Sequence, residues 1–186
     1  TTSIRKEERE KLAIELNAIT EKLSNIKQSF KEETKRRKEA VAALDELRGE
    51  LPEAKIEEAR KHIQNGDTKK AEKLFDEIYD KNTGLAASAA YQSGQLAEGR
   101  IDYAKAMLKY REAVASENNN PDYLLSAGKM ARTLGSYKEA QEWLEKLLQL
   151  RQQEGVETDD LALAQHELAY LYSNLGKYEE AEPLCK

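Results

Sequence analysis

The sequence predicts an all-α protein in two parts: an amphipathic, heptad-like helical segment over residues 1–51, then a stack of short helix hairpins over residues 52–186. Three observations carry this. Ala, Glu, Lys, Leu and Arg dominate, with three Pro and nine Gly in 186 residues, a mixture that suits long amphipathic helices rather than a β-sandwich. The larger apolar residues of the first part recur at alternating intervals of four and three. From Pro52 onward the chain repeats its own pattern of small and large residues.

In the first part, Leu12, Leu16, Ile19, Leu23, Ile26 and Phe30 form a heptad seam. The same register continues through Glu33, Arg37, Ala40, Leu44, Leu47 and Leu51, so the seam has a polar interruption in its middle. A single helix cannot bury so narrow a stripe by itself, because most helical stability comes from packing. Residues 1–51 are therefore expected either to form a coiled coil, with a homodimer as one outcome, or to fold back at Glu33 and Arg37 as a helix hairpin. Pro52 disfavours helical geometry at Leu51 and closes this part.

The second part alternates helical segments of about a dozen residues with turns at Asn65–Asp67, Glu117–Pro121, Leu134–Ser136 and Leu175–Lys177, and a longer connection at Glu154–Asp160. Small residues stand at Ala59, Gly94, Gly128 and Ala169, separated by 35, 34 and 41 positions. Ala71, Ala106, Ala140 and Ala181 follow twelve residues behind, with the same separations. Thr68, Tyr103, Tyr137 and Tyr178 precede each of these alanines by three, and Phe75, Tyr110, Leu144 and Cys185 follow by four. Antiparallel helices approach closely only where a small residue faces the crossing, and larger residues fill the flanks. The tyrosines, Phe75, Leu144 and Cys185 are thus expected to pack between helices.

The pattern resembles the tetratricopeptide repeat family, whose unit is about 34 residues. The third unit, "AGKMARTLGSYKEAQEWLEKLL" (127–148), carries it most clearly. The first unit has Thr68 in place of the usual Tyr, and the second has Ile101 where the turn glycine is expected. The resemblance spans residues 52–186 as units 52–86, 87–120, 121–161 and 162–186, the last truncated. The fourth, "ELAYLYSNLGKYEEAEPLCK" (167–186), is similar to the longer variant of kinesin light chains, though His166 and Glu167 replace the Asn pair usual there. The resemblance implies an α-solenoid, a right-handed superhelix of helix hairpins, whose concave wall is lined by the first helix of each unit. Carried over position by position, that wall comprises Ile56, Arg60 and Gln64; Tyr91, Gln95 and Glu98; Leu125, Lys129 and Arg132; and His166, Tyr170 and Asn174. Tyr and Leu would hold an anchor side chain of a protein or peptide ligand, amides its backbone, and the Lys129/Arg132 pair a carboxylate. The Lys/Asn clamp with which co-chaperones of this fold grip a terminal carboxylate is absent, since Ile56, Arg60, Gln92, Asp122 and Ser126 occupy its positions.

The resemblance implies a non-catalytic interaction scaffold. A regulatory sensor of bacterial signalling, with residues 1–50 as a bundle and Gln28 as its one glutamine, is the alternative. A formal charge of −5 and the acidic flanks of the Lys35–Lys38 run give no concentrated basic surface for nucleic acid. No apolar run is long enough for a membrane span. The single cysteine fits a reducing, cytoplasmic setting. No cofactor is expected, because no His/Cys cluster has metal spacing, no Gly-rich loop suits a phosphate, and no nucleophile, base and oxyanion donor converge. A start without Met and a stop inside a helical pattern suggest an excised fragment.

Overall fold

A computed structural model describes residues 2–48, 51–80, 85–153 and 159–185, with residues 2–10 and 159–160 as backbone only. Helix α1 spans Thr2–Glu46, followed by α2 (Glu53–Gln64), α3 (Thr68–Asp80), α4 (Ala86–Gly99), α5 (Tyr103–Ser116), α6 (Pro121–Thr133), α7 (Tyr137–Gln153), α8 (Asp159–Asn174) and α9 (Tyr178–Ala181). A 3₁₀ turn at Glu182–Cys185 completes the series. Among the described residues there is no strand, only a single bridge between Arg48 and Leu51. The pairs α2–α3, α4–α5, α6–α7 and α8–α9 are helix hairpins stacked into an α-solenoid. The longer connection expected at Glu154–Asp160 lies mostly outside the described residues.

The small-residue ladders mark the helix crossings. Ala71, Ala106, Ala140 and Ala181 are buried, as are Ala59 and Ala169. A Cβ added at Gly94 would lie 2.7 Å from the Tyr110 ring, and one at Gly128 would lie 2.7 Å from Leu144. Phe75, Tyr110 and Leu144 fill the adjoining space and are fully enclosed. Helix starts follow local chemistry. Asp102 accepts a hydrogen bond from the Lys105 backbone at 3.3 Å, and Asn120 accepts one from Asp122 N–H at 3.1 Å ahead of Pro121. The hairpin turns at Gly66, Gly135 and Gly176 have φ of +81°, +77° and +71°; Ile101 holds the equivalent place with φ +64°. A β-branched residue there is strained by contact between its Cβ and the following carbonyl.

Between the first two hairpins lies a polar network. Buried Glu72 accepts from Arg100 and Lys105, while Asp76 accepts from Ser93 (2.6 Å) and Lys105 (2.9 Å) and pairs with Lys109 (3.1 Å). Burial alone would raise the Asp76 pKa, but these donors outweigh it and hold the carboxyl below its usual range.

Three expectations need correction. Tyr103 and Tyr137, each the first residue of its helix, are only partly covered and Tyr178 is largely exposed, whereas the smaller Thr68 at the same place in the first hairpin is buried. Cys185 is exposed rather than a packed plug. Pro183 cannot donate a helical hydrogen bond; α9 stops at Ala181, and the tighter 3₁₀ turn carries Cys185 off the buried face. The first part is one uninterrupted helix, not a hairpin: Glu33 and Arg37 pair with each other one turn apart along α1. It ends at Glu46, six residues ahead of Pro52.

The two halves of the α1 seam differ in their surroundings. Ala40, Leu44 and Leu47 are buried in one core with Ile56, Ile63, Phe75, Ala89 and Leu96 from α2, α3 and α4. Leu12, Leu16, Ile19, Leu23, Ile26 and Phe30 are 50–70% exposed. The stripe is continuous; its covering is not.

Candidate functional site

The expected concave wall consists of α2, α4, α6 and α8. On the first two of these the wall is already occupied, by the last third of α1. Ile56 is fully buried beneath it. Arg60 pairs with Asp45 of α1 and also approaches Glu57. Gln95 is buried and donates to Glu39 at 3.0 Å, and Glu98 pairs with Arg36 at 2.9 Å. Periodicity in the repeats could not have indicated this cover. The signal was in α1, whose stripe remains apolar at Ala40, Leu44 and Leu47 after its polar break.

Tyr91 stands at the edge of the covered zone. Its ring centroid is 4.7 Å from Tyr123 and 5.8 Å from Tyr110, and its hydroxyl is 3.3 Å from the Ser126 hydroxyl. Burial pushes the Tyr91 and Tyr123 hydroxyls up to about 12. Tyr110 donates to Glu98 at 2.5 Å; burial, then the neighbouring charge, lifts its pKa well above 10. Tyr91 therefore serves largely to pack the second hairpin on the third.

Beside Tyr91, α1, α4 and the start of α6 enclose an open recess. Its lining includes Glu39, Glu46, Asp122, Gln92 and the two tyrosines Tyr91 and Tyr123, with Lys35 as the one cation among the described residues. Gln92 and Gln95 are both buried, and neither Oε1 has a hydrogen-bond partner. Acceptors thus outnumber donors, which favours a cationic group on any ligand.

On α6 and α8 the wall is open. Lys129, His166, Tyr170 and Asn174 are exposed, and Leu125 is half-buried. Arg132 does not await an external carboxylate. It bonds Glu167, largely buried on α8, at 3.2 Å, and Lys129 lies 3.8 Å from the same carboxylate. The Arg132 guanidinium also sits 4.5 Å from the Tyr170 ring centroid, a cation–π contact that fixes the ring while leaving it 49% exposed. In sequence Glu167 stands out only as a departure from the kinesin-light-chain pattern; in the structure it is the internal partner of the Lys/Arg pair. The structure thus brings Leu125, Lys129, Arg132, His166, Tyr170 and Asn174 onto one open face, and separates them from Arg60 and Gln95, which α1 covers.

This open face coincides with a similarity to a known family over part of the chain. Residues 122–185 match a tetratricopeptide repeat model. The match covers α6–α7 and α8–α9, the two hairpins with the uncovered wall. Tetratricopeptide repeats generally mediate protein–protein interaction. Among the described residues no group of His, Cys, Asp or Glu could hold a metal ion, and no helix is long and apolar enough to cross a membrane. Gln28, the glutamine of the sensor alternative, is exposed on a lone helix and donates to Glu32 at 2.8 Å.

Proposed function

We propose that the chain is an interaction scaffold, without catalysis of its own, that binds an extended peptide or protein segment across α6 and α8. The observation that supports this most directly is Tyr170: a large ring, oriented by Arg132, presented to solvent on a tetratricopeptide wall. Tyr170 and Leu125 would take an apolar anchor, while Asn174, His166 and Lys129 would bond the ligand backbone or a polar side chain. The recess beside Tyr91 would take a basic residue of the same ligand, since Glu39, Glu46 and Asp122 line it. In this reading residues 52–186 form the array, with units 52–86, 87–120, 121–161 and 162–186, the last of kinesin-light-chain type, and residues 1–51 are an N-terminal helical segment, coiled-coil-like over its exposed part and packed on the array at its end. The setting we propose is the cytoplasm.

A peptide array followed by fluorescence anisotropy tests it. Tyr170→Ala with Lys129→Glu should weaken the best peptides at least tenfold with helicity unchanged, and Asp122→Lys should weaken those carrying a basic residue. Arg60→Ala, under α1, should leave affinity unaltered. Undiminished binding in the Tyr170 and Lys129 double variant would sink the proposal.

A further inference from the structure

The exposed half of the α1 seam belongs to neither the array nor its ligand wall. Leu12 to Phe30 runs about 27 Å at 1.5 Å per residue, with six large apolar side chains in strict heptad order. We propose that this face binds a second copy of the chain as an antiparallel coiled coil, centred between Ile19 and Leu23.

The register carries the choice of partner. In an antiparallel pair, positions whose numbers sum to 42 lie opposite one another. Leu12 then faces Phe30 of the second copy, Leu16 faces Ile26, and Ile19 faces Leu23. Every seam residue meets another, and the arrangement repeats on the other side of the twofold axis, as an isologous interface requires. At the polar break Glu33 is matched, since the position opposite it is residue 9, an arginine in the sequence, while Arg37 is not. A parallel pair would instead set Glu33 against Glu33 and bring Lys22 towards Lys27 on both flanks. In the antiparallel pair the like-charge approaches are Lys22 with its own copy near the axis and Arg37 with residue 5, an arginine in the sequence, towards each end.

The covered half of the helix argues the same way. From Ala40 onward the stripe that would face a parallel partner faces α2 and α4 of its own chain. Two parallel copies would drive their arrays into the same space just beyond Phe30. Antiparallel copies place the arrays at opposite ends of the rod.

The strained turn supplies an independent sign. Ile26 and Phe30 share an open groove with Ile101 and Tyr103. Ile101 has φ +64° and is 73% exposed, at a place where three other turns use glycine. Leu12 of the second copy would arrive opposite Phe30, next to Ile101. The side chain kept at this strained position then lines the end of the interface.

The test uses the 186-residue chain. Sedimentation equilibrium should give a dimer, and Leu16→Glu with Leu23→Glu, both exposed, should give a monomer of unchanged helicity. A spin label at Lys38→Cys, with Cys185→Ser, should report a separation of about 50 Å, because residue 38 lies opposite residue 4 and the 34-residue offset spans that length. A monomeric wild type, a double variant that stays dimeric, or a label separation below about 25 Å would each overturn the proposal. Peptide binding by the Leu16→Glu, Leu23→Glu monomer should persist, so the two readings fail separately.

Discussion

Gly94→Ala tests the packing logic of the stack most sharply, because two effects of known size oppose each other there. Gly94 lies inside α4, where alanine is the better helix former by ~1 kcal/mol. Yet the new Cβ would stand 2.7 Å from both Cδ1 and Cε1 of Tyr110, against a comfortable carbon–carbon distance of about 3.5–4.0 Å. The ring has nowhere to go. It is fully buried, it touches Tyr91, and its hydroxyl donates to Glu98, which also pairs with Arg36 of α1. Overpacking of this kind costs about 1–3 kcal/mol. Loosening a hydrogen bond to a charged acceptor adds up to ~1.5–3 kcal/mol. Set against the gain in helix propensity, the net should be a destabilisation of about 2 kcal/mol, or roughly 4–8 °C in Tm for a chain of this size. Circular-dichroism melts would measure it. Gly99→Ala is the control: a Cβ there meets only Arg36 Cδ, at 3.9 Å, so stability should stay level or rise. A Gly94→Ala protein melting at or above wild type would refute the close-approach reading of the small-residue ladder.

Two further outcomes are expected. Ile101→Gly relieves a left-handed backbone worth about 1–2 kcal/mol and returns part of it to unfolded-chain entropy. Measured in the Leu16→Glu, Leu23→Glu background, Tm should rise by about 2 °C, and a fall would remove the case for strain. At high pH the stack should weaken: Tyr91 and Tyr123 have folded pKa values raised to about 12 from 10.0, so their contribution is intact below pH 10 and lost as pH climbs towards 12. Tyr91→Phe with Tyr123→Phe should flatten that loss in alkaline denaturation, and an unaltered profile would count against burial as its cause.

The hairpin stack was legible in the sequence because its signal is periodic: Gly128 opposite Leu144 and Ala140 at a crossing are requirements of close packing that recur in each unit. The turns at Gly66, Gly135 and Gly176 were legible for a similar reason, since only a few residue types accept their backbone geometry. What the repeats could not convey was which parts of the wall stay open. Arg60 and Gln95 look the same in sequence whether they face solvent or α1, because a polar residue satisfied by Asp45 or Glu39 leaves no local mark. Glu167 posed the same difficulty, since its partners Lys129 and Arg132 lie a whole repeat earlier. The tyrosine ladder misled for a different reason. Spacing fixes where a residue sits on a helix but not how much of a large side chain its neighbours cover: at the first helical position Thr68 is buried and Tyr178 is 70% exposed.

The uninterrupted backbone of α1 has an angular consequence. Its outer stripe and its anchored stripe are one line on one cylinder, so the direction in which the exposed seam points is set by the contacts of Ala40 and Leu44 with the array. At 3.6 residues per turn, one residue added between Phe30 and Ala40 would swing the outer seam by about 100° around the helix, whereas seven would restore its bearing to within about 20°. The helix therefore acts as a keyed shaft, holding in phase whatever engages its far end and the repeats fixed to its near one.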